Sequence, residues 1–121
     1  MFREALTRIV ERTEGATGAL IMGMDGIAVE RVLLPEASES NMDVAAAELT
    51  SLVRNALRAG VNTGHGRLRE LVVNYDSACV LARMFSEEYY AVLTLTPEGN
   101  LGRGRYELRK AELDLAREFS L

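Results

Sequence analysis

Gly99-Asn100-Leu101-Gly102-Arg103-Gly104 stands between a strand-like run and a helix-like one, where a phosphate-cradling loop would sit. Backbone amides at a helix start attract anions, and glycine lets an anion come close. The spacing, however, is G-x-x-G-x-G and not the G-x-G-x-x-G of a dinucleotide-binding unit, and the preceding strand belongs to an antiparallel sheet. No Gly-Lys-Ser/Thr follows, which excludes a Walker loop. The residues read as a glycine-rich turn into a helix.

The other chemistry-bearing side chains are few. His65 is the only histidine and Cys79 the only cysteine, so a zinc ligand set is not available. His65 has no nucleophile at a spacing that would make it a general base. It reads as an exposed loop residue, and Cys79 as a small core hydrophobe. Glu87 and Glu88, adjacent in a turn, splay apart and do not make an acid–base pair. Arg103, Arg105, Arg109 and Lys110 cluster at the start of the last helix among Glu107 and Glu112. That pattern is a solvated face laced with ion pairs, or else a contact for an anion or a partner. Nothing here assembles an active site; no catalysis, cofactor or metal is expected.

A chain of 121 residues suits one domain, spanning 1–121, with a single core. Its net charge of −4 lacks the electrostatic footprint of a nucleic-acid binder. The apolar runs are far too short for a membrane span, and the first helix is too charged for a signal peptide. The lone cysteine forms no internal disulfide, which fits a reducing cytoplasm.

From the start of the chain, Phe2 to Glu14 has helical apolar spacing and ends at Gly15. Ala19–Met22 and Ile27–Val32 flank Met24-Asp25-Gly26, a hairpin signal in which Gly26 takes positive φ and Asp25 tolerates the left-handed region. The first run is apolar on both faces, so it is an inner strand. In the second, Ile27, Val29 and Leu33 are expected on one face, interrupted by Arg31, with Glu30 on the other. Leu34 to Glu39 is a loop, and Ser40-Asn41-Met42-Asp43 resembles a capping box. The second helix then carries Met42, Ala45, Leu49, Leu52, Val53, Ala56 and Gly60 in a stripe expected to face the sheet. Arg67–Tyr75, Ala78–Phe85 and Tyr89–Thr96 read as three more strands, and a last helix runs to Phe119 with Leu108, Ala111, Leu115 and Phe119 inward.

Three tight turns join strands 1 and 2, 3 and 4, and 4 and 5. Strands 1 and 5 each need a second neighbour, which gives an α+β sandwich: a five-stranded antiparallel sheet in the order 2-1-5-4-3, with helices on both faces. Strand 3 is left as an unprotected edge, a template for another chain. A homodimer is expected there, through Val72 and Asn74, together with Thr50, Leu57 and Val61 flanking the helix-2 stripe.

The opening hairpin, the Ala/Leu-rich second helix, and Pro97-Glu98-Gly99-Asn100-Leu101-Gly102 followed by Arg105-Tyr106-Glu107-Leu108-Arg109 resemble the roadblock/dynein light-chain family, above all its prokaryotic MglB-like branch. The likeness covers almost the whole chain. It implies a roadblock/profilin-like sandwich that dimerises by strand 3 and helix 2, and whose helix-2 surface docks a Ras-like, MglA-like small GTPase. On that resemblance Ser51, Arg54, Asn55 and Arg58 are the expected partner-binding residues. Some members that act on GTPases carry further residues after the last helix, whereas this sequence stops at Leu121; binding is expected and activation left open. A ligand-sensing or scaffold module of profilin-like fold, with no GTPase partner, is the alternative.

Overall fold

In the computed structural model, which describes residues 2–35 and 42–116, the elements follow the apolar patterning. They are α1 (Phe2–Arg12), β1 (Ala16–Gly23), β2 (Ala28–Leu33), α2 (Met42–Asn62), β3 (Glu70–Asn74), β4 (Cys79–Met84), β5 (Tyr89–Leu95) and α3 (Leu101–Asp114). The sheet order is β2-β1-β5-β4-β3, antiparallel at every pairing. The expected architecture is therefore the observed one. The proposed capping residues Ser40 and Asn41, the loop from Glu36 to Glu39 and Phe119 lie outside the described residues.

Alternation along the inner strands divides the core in two. Ala19 and Ile21 of β1 join Leu81, Ala91 and Leu93 under α1 and α3, which contribute Leu6, Ile9, Val10, Leu108 and Ala111. Leu20 and Met22 point the other way and meet Tyr90, Val92 and Ala82 beneath Ala46 and Val53 of α2. A strand buried on both faces must be apolar at every position, and Ala19–Met22 of β1 is. Cys79 is a small member of the α1–α3 layer, and burial pushes its thiol pKa up.

The hairpin departs from expectation in two places. Gly26 alone takes positive φ, at +86°. Asp25 avoids that region and instead accepts the Ile27 amide on Oδ1 at 3.0 Å, a side-chain turn in place of a left-handed residue. In β2, Ile21 faces Glu30 but Met22 faces Ala28, so Val29 is an extra residue in a β-bulge. The bulge inverts the alternation. Ala28 and Leu33, an odd number apart, both pack under α2, while Ile27, expected to share a face with Leu33, is 66% exposed. Val29 is exposed beside it.

The glycine-rich segment is a packing device. Asn100 caps α3 by accepting the Arg103 amide at 3.0 Å, and the segment is tied to the α1–β1 corner by Asn100 N–H to Glu14 O at 2.8 Å. A Cβ on Gly104 would stand 2.7 Å from Leu93 Cδ2, so any larger residue makes the Leu93 side chain shift where α3 packs on β5.

Candidate functional site

The helical wheel of α2 places its inner side slightly differently from the sequence reading. Ala46, Thr50 and Val53 are buried, with Leu49 and Leu57 packed on the same cluster. Thr50 and Leu57, expected on a dimer flank, thus point into their own sheet. The reason is polar: Tyr90, buried in β5, needs a partner for its hydroxyl, and Thr50 Oγ1 lies 2.5 Å from it. Burial pushes the Tyr90 pKa up, opposed by the Thr50 hydrogen bond and the positive Arg54. Ala45 and Leu52, expected in the stripe, are exposed, Leu52 at 42%. Val61 is 67% exposed but lies seven residues after Arg54, on the flank nearer the β1–β2 hairpin than β3.

Four residues were expected on the outer side of α2. Ser51, Arg54, Asn55 and Arg58 are all exposed. Arg54 is also anchored: Nε donates to Met24 O at 3.0 Å, and its Nη2 to the same carbonyl. The guanidinium thereby closes one wall of an open hollow of about 390 Å³ formed with Met24, Ile27, Val29, Glu88 and Tyr89. Sequence reading missed the apolar half of this corner, because the bulge that exposes Ile27 and Val29 leaves no mark in the residue types.

On the opposite flank, Ala45, Leu49 and Leu52 overhang Val80, Val92 and Tyr75 to form an apolar cleft of about 230 Å³. It opens beside the β3 edge. Here the hydrogen-bond phase of β3 is decisive. The Tyr75 amide bonds Ala78 O, and the Met84 amide bonds Arg69 O. With Val73 opposite Val80 and Leu71 opposite Ala82, the odd-numbered residues bond β4. Val72 and Asn74 therefore direct both N–H and C=O to the free edge. The sequence named these two residues but could not supply the phase.

The basic residues of α3 divide. Arg103 pairs with Glu107 at 2.7 Å and Arg105 with Glu70. Glu70 also faces Arg83 at 3.6 Å, and Arg83 donates to Glu112 at 2.7 Å, a chain of charges joining β3, β4 and α3. His65 is exposed, its Nδ1 2.8 Å from Thr63 Oγ1. Among the described residues, no three His, Cys, Asp or Glu side chains come together as metal ligands would, and no helix is long and apolar enough to cross a membrane.

Known proteins share this geometry. The Roadblock/LC7 domain model matches residues 3–95. The crystal structure of MglC from Myxococcus xanthus is 34% identical, with 98% of each chain covered and a TM-score of 0.73. The gliding protein MglB from Thermus thermophilus is 21% identical over 95% of this chain and 85% of its own, with a TM-score of 0.83. Profilin II from Acanthamoeba castellanii shares the fold at 17% identity and a TM-score of 0.58, covering 86% of this chain and 87% of its own. No curated protein matches in sequence. Family match and sheet order agree: the chain belongs to the Roadblock/LC7 domain family, with MglC and MglB among its structural neighbours.

Proposed function

We propose that this protein is a non-enzymatic, homodimeric regulator that binds a Ras-like, MglA-like small GTPase through α2 and modulates its GTP hydrolysis or its localisation. The observation that carries the reading is the division of labour on α2. Its inner side is committed to the sheet, while Ser51, Arg54, Asn55 and Arg58 remain on the surface of a Roadblock/LC7 chain. Two arginines repeated by a twofold axis give a local basic strip on a chain of net charge −4, suited to acidic side chains of a GTPase switch region. The exposed Ile27 and Val29 supply apolar area beside Arg54.

Pairing of β3 with its twofold copy would bring together the α2 flanks that overhang β3. The helix part of the interface is thus Ala45 and Leu52, with Val72 and Asn74 in the sheet. The same cleft is what a ligand sensor would use. Its lining is apolar apart from Glu48, Tyr75 and Thr94, and its volume of about 230 Å³ is smaller than a usual ligand pocket. Coverage by a second copy is the better reading.

The test is GTPase capture by the Arg54→Glu/Arg58→Glu variant. Binding of an MglA-like GTPase should be lost while fold and assembly are kept. Because Arg54 also holds the Met24 carbonyl, Arg58→Glu alone is the control, expected to weaken binding about tenfold. Full binding by the folded double variant would remove α2 as the docking surface.

A further inference from the structure

The outer face of α3 lies on the other side of the sheet from α2. Gly102, Tyr106, Arg109, Lys110 and Leu113 recur at helical spacing and form, with Arg105, one solvent-facing side of the helix. Tyr106 is 56% exposed and Leu113 78%, two turns apart. Two of the three acids of the helix are turned away from this face. Glu107 is buried and paired with Arg103, Glu112 is held by Arg83, and Asp114 lines the α1–α3 groove. Arg109 and Lys110 have no ion-pair partner among the described residues. Arg8 and Arg12 of α1 line that groove with Lys110, where Asp114 and Glu107 balance part of their charge. Arg103 stacks its guanidinium 5.3 Å from the Tyr106 ring, holding that ring on this face.

We infer that this face docks an acidic amphipathic segment of another protein, its carboxylates on Arg109 and Lys110 and an apolar side chain between Tyr106 and Leu113. Charge complementarity selects the occupant. A second copy presenting the same face by a twofold axis would set like charges together, which is unfavourable. A membrane surface is a poorer fit, because two apolar side chains offer little area to insert. The inference does not rest on the GTPase reading, since α3 and α2 are on opposite faces.

The experiment titrates the ¹⁵N-labelled protein with a short synthetic peptide of alternating glutamate and leucine turns, at low and high salt. Resonances of Tyr106, Arg109, Lys110 and Leu113 should shift at low salt and return at high salt. Arg109→Glu/Lys110→Glu should weaken binding by about tenfold or more, and Arg54→Glu/Arg58→Glu should leave it unchanged. Arg109→Gln/Lys110→Gln, which removes charge without reversing it, should give an intermediate loss at an unchanged melting temperature. A lysine–leucine peptide should not bind. Absence of shifts on α3, or shifts indifferent to salt and to charge reversal, would overturn the inference. So would co-sedimentation with phosphatidylserine vesicles in a protein that ignores the peptide, which would assign the face to a membrane.

Discussion

The Tyr90 hydroxyl and Thr50 Oγ1 meet at 2.5 Å between α2 and the sheet. Thr50 has one proton and donates it to Ala46 O at 2.8 Å, so Tyr90 must be the donor to Thr50. Thr50→Val leaves a buried phenol without an acceptor and should cost about 1–3 kcal/mol. Tyr90→Phe removes the donor and should cost about 1 kcal/mol. The double variant should lose less than the sum, because neither polar group is then stranded. Urea denaturation of the four proteins measures this coupling; strict additivity would show that the two groups act separately.

The same burial sets an alkaline limit. Tyr90 is held protonated by desolvation, its folded pKa lying above the unfolded value. Its contribution is therefore complete below the unfolded pKa, about 10, and lost as pH rises from there towards the folded one. Cys79 shifts in the same direction and for the same reason, beginning nearer the ordinary thiol range. Stability should fall on the alkaline side, and Tyr90→Phe should flatten the steeper upper part. Denaturation midpoints across alkaline pH provide the check.

Assembly is tested on two separate features. Leu52→Asp places charge on the α2 flank above β3 and should give a monomer by light scattering, whereas Val61→Asp, on the far flank, should not. Val72→Pro removes an amide that points to the free edge and breaks no β3–β4 hydrogen bond, so it should dissociate the dimer with little loss of fold. A dimer surviving both Leu52→Asp and Val72→Pro would place the interface elsewhere.

Arg83 is the hinge of the charge chain, with side chains of Arg83 and Glu70 only 15% exposed. Arg83→Met leaves Glu70 and Glu112 without their shared cation and should destabilise the protein by about 2 kcal/mol, less than a fully buried break because Arg105 still reaches Glu70. Adding Glu112→Gln should recover part of the loss. Thermal melts would register both.

What could be read in advance followed from patterning, and what could not followed from geometry. Uniform apolarity in Ala19–Met22 required two neighbours and two covering layers, which fixed the strand order. The outward set Ser51, Arg54, Asn55 and Arg58 was legible because charge at helical spacing leaves the sheet side. The side of α2 taken by Thr50 was not, since a threonine turns inward only when a buried acceptor or donor calls for it, and Tyr90 lies forty residues on. The exposure of Ile27 was hidden for a similar reason: a bulge is a property of two strands in register, not of one. The phase of β3 likewise depends on β4.

The two margins of the sheet differ in what they offer a further strand. Along β2 the ladder is regular from Glu30 to Leu33, beyond the bulge, but the Arg31 N–H donates to Glu30 Oε1 at 3.1 Å and the Arg31 carbonyl accepts from Arg3 Nη1 at 3.1 Å, so that margin is partly occupied. At the other margin, Val72 and Asn74 direct N–H and C=O to the free edge. A sheet open at one margin only would be used up by pairing with a second copy and would not propagate into a fibre. The Arg3 and Glu30 side chains on the β2 margin would then act as a stop signal for polymerisation.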